Sequence, residues 1–79
     1  MKAIKVFIDE AEQFKMLNLI EKFNGHKDIV ATGTGQTDFV VATSGECTMA
    51  YVRAVLAGKL DDCTIETIKS GEKVYESKL

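Results

Sequence analysis

A chain of 79 residues is long enough for one domain, residues 1–79, and short enough that we expect a small stability margin. Its composition, 46% hydrophobic and 28% charged, is typical of a soluble globular protein and argues against disorder. The net charge of −2 argues against a nucleic-acid partner, because surfaces that bind phosphates gather lysine and arginine.

The start of the chain does not resemble a secretory signal. The apolar run from Met1 to Ile8 is short and is followed at once by acidic residues, and no stretch is long enough to span a membrane. Cys47 and Cys63 lack a CxxC spacing and a nearby histidine that would complete a zinc site. We therefore expect a cytoplasmic protein with reduced cysteines, no membrane partner, no metal and no cofactor. A disulfide between the two cysteines is the less favoured alternative.

The first predicted element is a strand from Lys2 to Ile8, in which Ile4, Val6 and Ile8 alternate with other residues at the period of a half-buried strand. A helix follows. Asp9 and Glu12 have the spacing of a capping box, which predicts a helix from there to about Phe23.

The first helix has one wide apolar face and a polar arc opposite it. Phe14 falls on the polar arc, and Asn24-Gly25 is typical of a left-handed helix stop. The residues of the apolar face are Met16, Leu17, Leu19, Ile20 and Phe23.

Two further strands are predicted from Asp28 to Thr32 and from Asp38 to Thr43, because both segments are rich in β-branched and aromatic residues. The connection from Gly33 to Thr37 is short and contains glycine, which favours an antiparallel hairpin. A phosphate-binding loop is disfavoured there, since the segment lacks a third glycine and a Lys-Ser/Thr pair.

The second helix is predicted to begin at a capping box formed by Thr43 and Glu46 and to run to about Gly58. Its core stripe consists of Met49, Val52, Val55, Leu56 and Leu60. Alternation predicts a fourth strand from Cys63 to Ile68, and the tail from Glu72 to Leu79 is predicted as a short helix or a hairpin partner, with the helix preferred.

Two helices separated by antiparallel strands exclude a doubly wound parallel sheet. We predict an α+β fold, a βαββαβ open-faced sandwich whose four-stranded antiparallel sheet carries both helices on one face. Phe7 is expected on the open face, with some combination of Val40, Ala42 and Ile68, as ordinary surface.

No residue set predicts catalysis, and we favour a protein that is not an enzyme. His26, the single histidine, lies in a turn after the first helix, where a solvated side chain is the simpler interpretation. No serine or cysteine has a recognisable base beside it in sequence. We therefore assign no catalytic residues.

The second helix carries small residues opposite its core stripe, which favours an interaction surface. We expect another protein, or a second copy in a homodimer, to contact this side. Alanine is also a good helix former at a plain surface, so this is the competing interpretation. The candidate residues are Cys47, Ala50, Ala54 and Ala57, with Tyr51 at the border.

The order of elements and three segments resemble the histidine-containing phosphocarrier (HPr) family of the bacterial phosphotransferase system: Lys2 to Val6, Leu17 to Phe23 and Phe39 to Ser44. In that family a phosphorylated histidine followed by an arginine opens the first helix. Asp9 to Gln13 contains neither residue, so the resemblance implies a divergent, regulatory member without phosphohistidine transfer. The family's second site is a serine that opens the second helix, where Ser44 stands next to Thr43. A hydroxyl at a helix start is first of all a cap.

A ferredoxin-like module, such as an ACT-type domain that binds small molecules, shares the same order of elements and is the alternative. Strand order in a structure would separate the two families. An enzyme of the acylphosphatase type would need an arginine near the first loop, and the only arginine is Arg53.

Overall fold

The computed structural model of the chain describes residues 2–68. In chain order its elements are strand β1 (Lys2–Ile8), a short 3-10 helix (Glu10–Glu12), helix α1 (Gln13–Asn24), strands β2 (Ile29–Gly33) and β3 (Asp38–Thr43), helix α2 (Glu46–Lys59) and strand β4 (Cys63–Ile68). The predicted α+β fold is confirmed. The element predicted in the tail, residues 72–79, lies outside the described residues.

The four strands form one antiparallel sheet in the order β2-β3-β1-β4. Strands β1 and β2, which α1 connects, have β3 between them. Strands β3 and β4, which α2 connects, have β1 between them. The two β-α-β units are therefore interleaved, which is the split βαβ arrangement.

The core lies between the sheet and the two helices, so both helices cover the same face, as predicted. Each fully buried aliphatic or aromatic side chain contributes about 1.5–3 kcal/mol, which makes this layer the main source of stability. The sheet contributes chiefly Ile4, Val6, Ile8, Phe39 and Val41, and the helices contribute Met16, Leu19, Phe23, Met49, Val52, Leu56 and Leu60.

The opposite face of the sheet exposes less apolar surface than expected. Val40 and Ala42 are only 1% and 2% exposed, whereas Phe7 and Ile68 are half-buried. Val40 and Ala42 belong to the interior strand β3, and the register places a side chain of β1 and one of β2 beside each of them. Neighbours on both sides shield the short side chains of an interior strand.

Asp9 caps the 3-10 helix (Glu10–Glu12) that precedes α1, and the predicted capping box is not closed. Helix α1 itself begins at Gln13, and its N-cap Glu12 makes no side-chain capping hydrogen bond. The Asp9 carboxylate accepts a hydrogen bond from the Ala11 N–H at 3.3 Å, and the Glu12 N–H donates to the Asp9 carbonyl at 2.9 Å. The Glu12 side chain instead turns toward the loop that follows α2. The predicted left-handed stop is wrong, since Gly25 has φ −73° and lies in the right-handed region.

The start of α2 also differs from the predicted capping box, because its N-cap is Gly45. Thr43 is the last residue of β3 and is 1% exposed, and its hydroxyl donates to the Gly45 carbonyl at 3.1 Å. The exposed Ser44 donates its backbone N–H to the Asp28 carbonyl at 3.1 Å. Strand β3 thus ends at Thr43, the chain bends at Ser44, and the helix begins only after the glycine.

Candidate functional site

The sides of α1 and α2 that point away from the sheet expose apolar side chains. Phe14 is 83% exposed and Leu17 is 58% exposed on α1, and Tyr51 is 44% exposed on α2. All five α2 residues predicted from the sequence are exposed. We call these seven residues the outer helical surface: Phe14, Leu17, Cys47, Ala50, Tyr51, Ala54 and Ala57.

Helical geometry explains why these residues share one side. At about 100° per residue, the α2 residues at spacings of three and four form a ridge opposite the side that buries Val52 and Leu56. The same rule places Phe14 and Leu17 together on the outer side of α1. The prediction that Leu17 belongs to the buried apolar face of α1 is wrong, since Leu17 is 58% exposed. It lies at the edge of that face, where a small rotation of the helix decides between core and solvent.

Tyr51 is held at the border of α2 by the turn that follows α1. Its ring centroid is 6.0 Å from that of His26, with the ring planes tilted by 35°. The His26 Nδ1 atom accepts a hydrogen bond from the Asp28 N–H at 3.2 Å. His26 therefore has a structural role in this turn and fixes one aromatic residue of the outer helical surface.

A groove of about 280 Å³ lies between α1 and the end of α2. Three lysines and one asparagine line it, and Leu19, which is buried, contributes apolar surface. This groove could not be predicted from local sequence patterns, because its lining comes from two helices that are far apart in the chain. The described residues that line it are Lys15, Asn18, Leu19, Lys22 and Lys59.

Glu12 joins the start of α1 to the loop between α2 and β4. Its carboxylate, in a residue only 7% exposed, accepts the Asp61 N–H at 2.9 Å and the Lys15 ammonium at 3.2 Å. The backbone N–H of Asp61, together with Lys15, holds the pKa of Glu12 below its ordinary value of 4.5. The ionised Glu12 therefore ties the start of α1 to the loop between α2 and β4. An ionised carboxylate has no proton to give, so Glu12 is not suited to be a proton donor in catalysis.

The two cysteines are both free thiols, Cys47 exposed and Cys63 half-buried. A cavity of about 240 Å³ lies beside Cys63, between Phe7, Asp9 and Asp62. Burial, together with the negative charges of Asp62 and Glu12, raises the pKa of the Cys63 thiol. The thiolate is the nucleophilic form, so this cavity disfavours cysteine chemistry.

Two further site types are not found within residues 2–68. No three histidine, cysteine, aspartate or glutamate side chains are grouped so that they could hold a metal ion. In the same part of the chain, no helix has the length and apolar character needed to cross a membrane. A scan against protein-family models and searches of the curated proteins and the solved structures found no match to this chain.

Proposed function

We propose that this chain is a small cytoplasmic, non-catalytic interaction module with a regulatory role, which binds a second copy of itself through the outer helical surface. The observation that carries the proposal is the exposure of Phe14, 83%, together with that of Leu17 and the α2 ridge on the same side of the molecule. Both cysteines are free, which suits a reducing compartment.

The small side chains of the α2 ridge suit close helix packing. Helix axes approach to about 8–10 Å, and the closest approaches need small residues at the contact. Alanines at positions 50, 54 and 57 allow two α2 helices to gain dispersion contacts along the whole ridge.

The area of the α2 ridge alone is too small for a stable dimer. A standard specific interface buries about 800 Å² on each partner, and one helix face supplies less. Phe14 adds about 150–250 Å² when it is covered, and Leu17 and Tyr51 widen the contact further. We therefore expect self-association that is weak and depends on these three larger side chains.

Isotope-filtered nuclear Overhauser spectroscopy on a mixture of labelled and unlabelled protein tests where the copies meet. We expect intermolecular contacts from the methyl groups of Ala50 and Ala54. Intermolecular contacts confined to strand β4 or to the helix-free face would contradict the proposed surface. Thr64, which is exposed on that face, serves as the reporter.

A second candidate function is the binding of a small molecule by a ferredoxin-like, ACT-type regulatory module. The interleaved strand order supports this candidate, since it is the split βαβ arrangement. The HPr-like interpretation, which the sequence resemblance favours, is kept only in a non-catalytic form, because Asp9 to Gln13 contains neither the histidine nor the arginine of that family.

A further inference from the structure

The groove between α1 and the end of α2 collects positive charge on a protein whose net charge is −2. Lys15 is neutralised there, because its ammonium lies 3.2 Å from Glu12 Oε1 and 3.6 Å from Asp61 Oδ2. Lys22 and Lys59 belong to none of the ion pairs found within residues 2–68. The groove therefore has two lysines that form no ion pair with a carboxylate of residues 2–68.

Lys22 and Lys59 lie in the last turns of α1 and α2, where each also faces the carbonyl end of its own helix. That interaction is a general reason for lysine at a helix end. It does not require the two lysines to line one cavity with an amide and an apolar side chain between them, as they do here.

We propose that this groove binds a small organic phosphate. The phosphate oxygens would accept hydrogen bonds from the ammonium groups of Lys22 and Lys59 and from the Asn18 amide. The apolar part of the ligand would lie against the methylene stems of the lining lysines, since Leu19 itself is buried. Lysine binds phosphate as a point charge with three donors, and the lining contains no arginine fork that would select a planar carboxylate.

The size of the groove limits the ligand. Pockets for drug-sized molecules span about 300–1,000 Å³, so a volume of about 280 Å³ fits a phosphate with one ring or a short chain. The groove is open to solvent and its lysines are exposed, so we expect a dissociation constant in the millimolar range.

Nuclear magnetic resonance titration of the ¹⁵N-labelled protein tests the site with two probes, inorganic phosphate and phenyl phosphate, against sodium chloride at matched ionic strength. We expect saturable shifts of the Asn18, Lys22 and Lys59 amides, with phenyl phosphate bound more tightly than inorganic phosphate because its ring packs against the methylene stems of the lining lysines. Shifts that follow ionic strength alone would overturn the proposal. Equal affinity for both probes would show that the apolar lining of the groove contributes nothing to binding, and it would overturn the organic part of the proposal.

Two variants and one control test whether the positive charges of Lys22 and Lys59 bind the phosphate. Lys22→Gln and Lys59→Gln should each weaken phenyl phosphate about two- to fivefold, the range for an exposed charge pair, and the double variant should lose saturable binding. Lys2→Gln, which removes an exposed lysine paired with Glu46, should leave the affinity unchanged. Unchanged binding by the double variant would contradict the site. None of these residues belongs to the outer helical surface, so this result and the test of self-association are independent.

Discussion

The Asn24 side chain makes two hydrogen bonds to the backbone of Ala31. Its Nδ2 donates to the Ala31 carbonyl at 2.8 Å, and its Oδ1 accepts from the Ala31 N–H at 2.7 Å. The Thr34 N–H donates to the Asp38 carbonyl, so Thr34 and Asp38 form a hydrogen-bonded pair. Hydrogen-bonded and non-hydrogen-bonded pairs alternate along antiparallel strands, which makes Ala31 and Val41 a non-hydrogen-bonded pair. The N–H and C=O of Ala31 therefore point away from β3, toward the outer edge of β2. The last residue of α1 thus satisfies the middle of an exposed edge strand, which protects it from pairing with other chains.

Replacement of Asn24 by alanine tests this contact. Two net hydrogen bonds contribute about 0.5–1.5 kcal/mol each, so Asn24→Ala should lower the free energy of unfolding by about 1–3 kcal/mol. Urea denaturation measures the loss. Asn18→Ala, at an exposed position of the same helix, is the control and should change little. Equal midpoints for the two variants would show that the Asn24 amide does not hold β2.

Replacement of two glycines by alanine should change the stability of the fold in opposite directions. A Cβ at Gly35 would overlap Asp38 Oδ1, and its displacement would disturb the pair between Asp38 and Lys5 at 3.5 Å. Apart from its chain neighbours and the backbone of its own helix, no atom of residues 2–68 lies within 4 Å of a Cβ added at Gly58, which is inside α2. We expect Gly35→Ala to destabilise the fold and Gly58→Ala to stabilise it by up to about 1 kcal/mol through helix propensity. Thermal melting that shifts in the same direction for both would refute this account of the hairpin loop.

Glu12 should make stability depend on pH in acid. The pKa of Glu12 is lowered in the folded state, so the ionised carboxylate stabilises the fold above the unfolded pKa of about 4.5. That stabilisation is lost as the pH falls through the folded pKa. Glu12→Gln should therefore be less stable than the parent at neutral pH, and the difference should shrink in acid. Denaturant midpoints measured across this pH range check the sign. Glu10→Gln, which changes an exposed neighbour, is the control. A stability difference between the parent and Glu12→Gln that widens in acid would contradict the stabilising role of the ionised Glu12.

The chain should fail as a phosphohistidine carrier. Asp9 to Gln13 contains no histidine, and the Nδ1 of His26 is already an acceptor in its turn. Incubation with phosphoenolpyruvate and the general phosphotransferase enzyme should give no stoichiometric acid-labile phosphate, as measured by intact mass. Phosphate found on His26 would overturn this prediction.

Much of the fold could be predicted because local patterns agree with the tertiary structure. The bounds predicted for β1 and β4 from alternation match the structure, as do those predicted for β3 from its β-branched and aromatic residues. Strand β2 is shifted by one residue to Ile29–Gly33. Helix α2 ends at Lys59, one residue beyond the predicted Gly58. These elements carry strong hydrophobic periods, which packing against the core reinforces.

The features that the sequence analysis missed depend on distant residues. Glu12 was expected to close a capping box, but the Asp61 N–H, 49 residues away, competes for its carboxylate. The start of α2 depends on where β3 ends, which pairing with β1 and β2 determines. The lysine groove likewise requires the relative placement of two helices, which no local pattern contains.

The most direct test of the outer helical surface is sedimentation equilibrium of the parent, Ala54→Glu and Thr64→Glu. Ala54→Glu places a charge at the middle of the α2 ridge, and Thr64→Glu adds the same charge on the helix-free face. We predict that the parent and Thr64→Glu exceed the monomer mass at high concentration, while Ala54→Glu remains a folded monomer. A parent that stays monomeric at high micromolar concentration, with the same mass and melting behaviour as Ala54→Glu, would contradict the proposed interface.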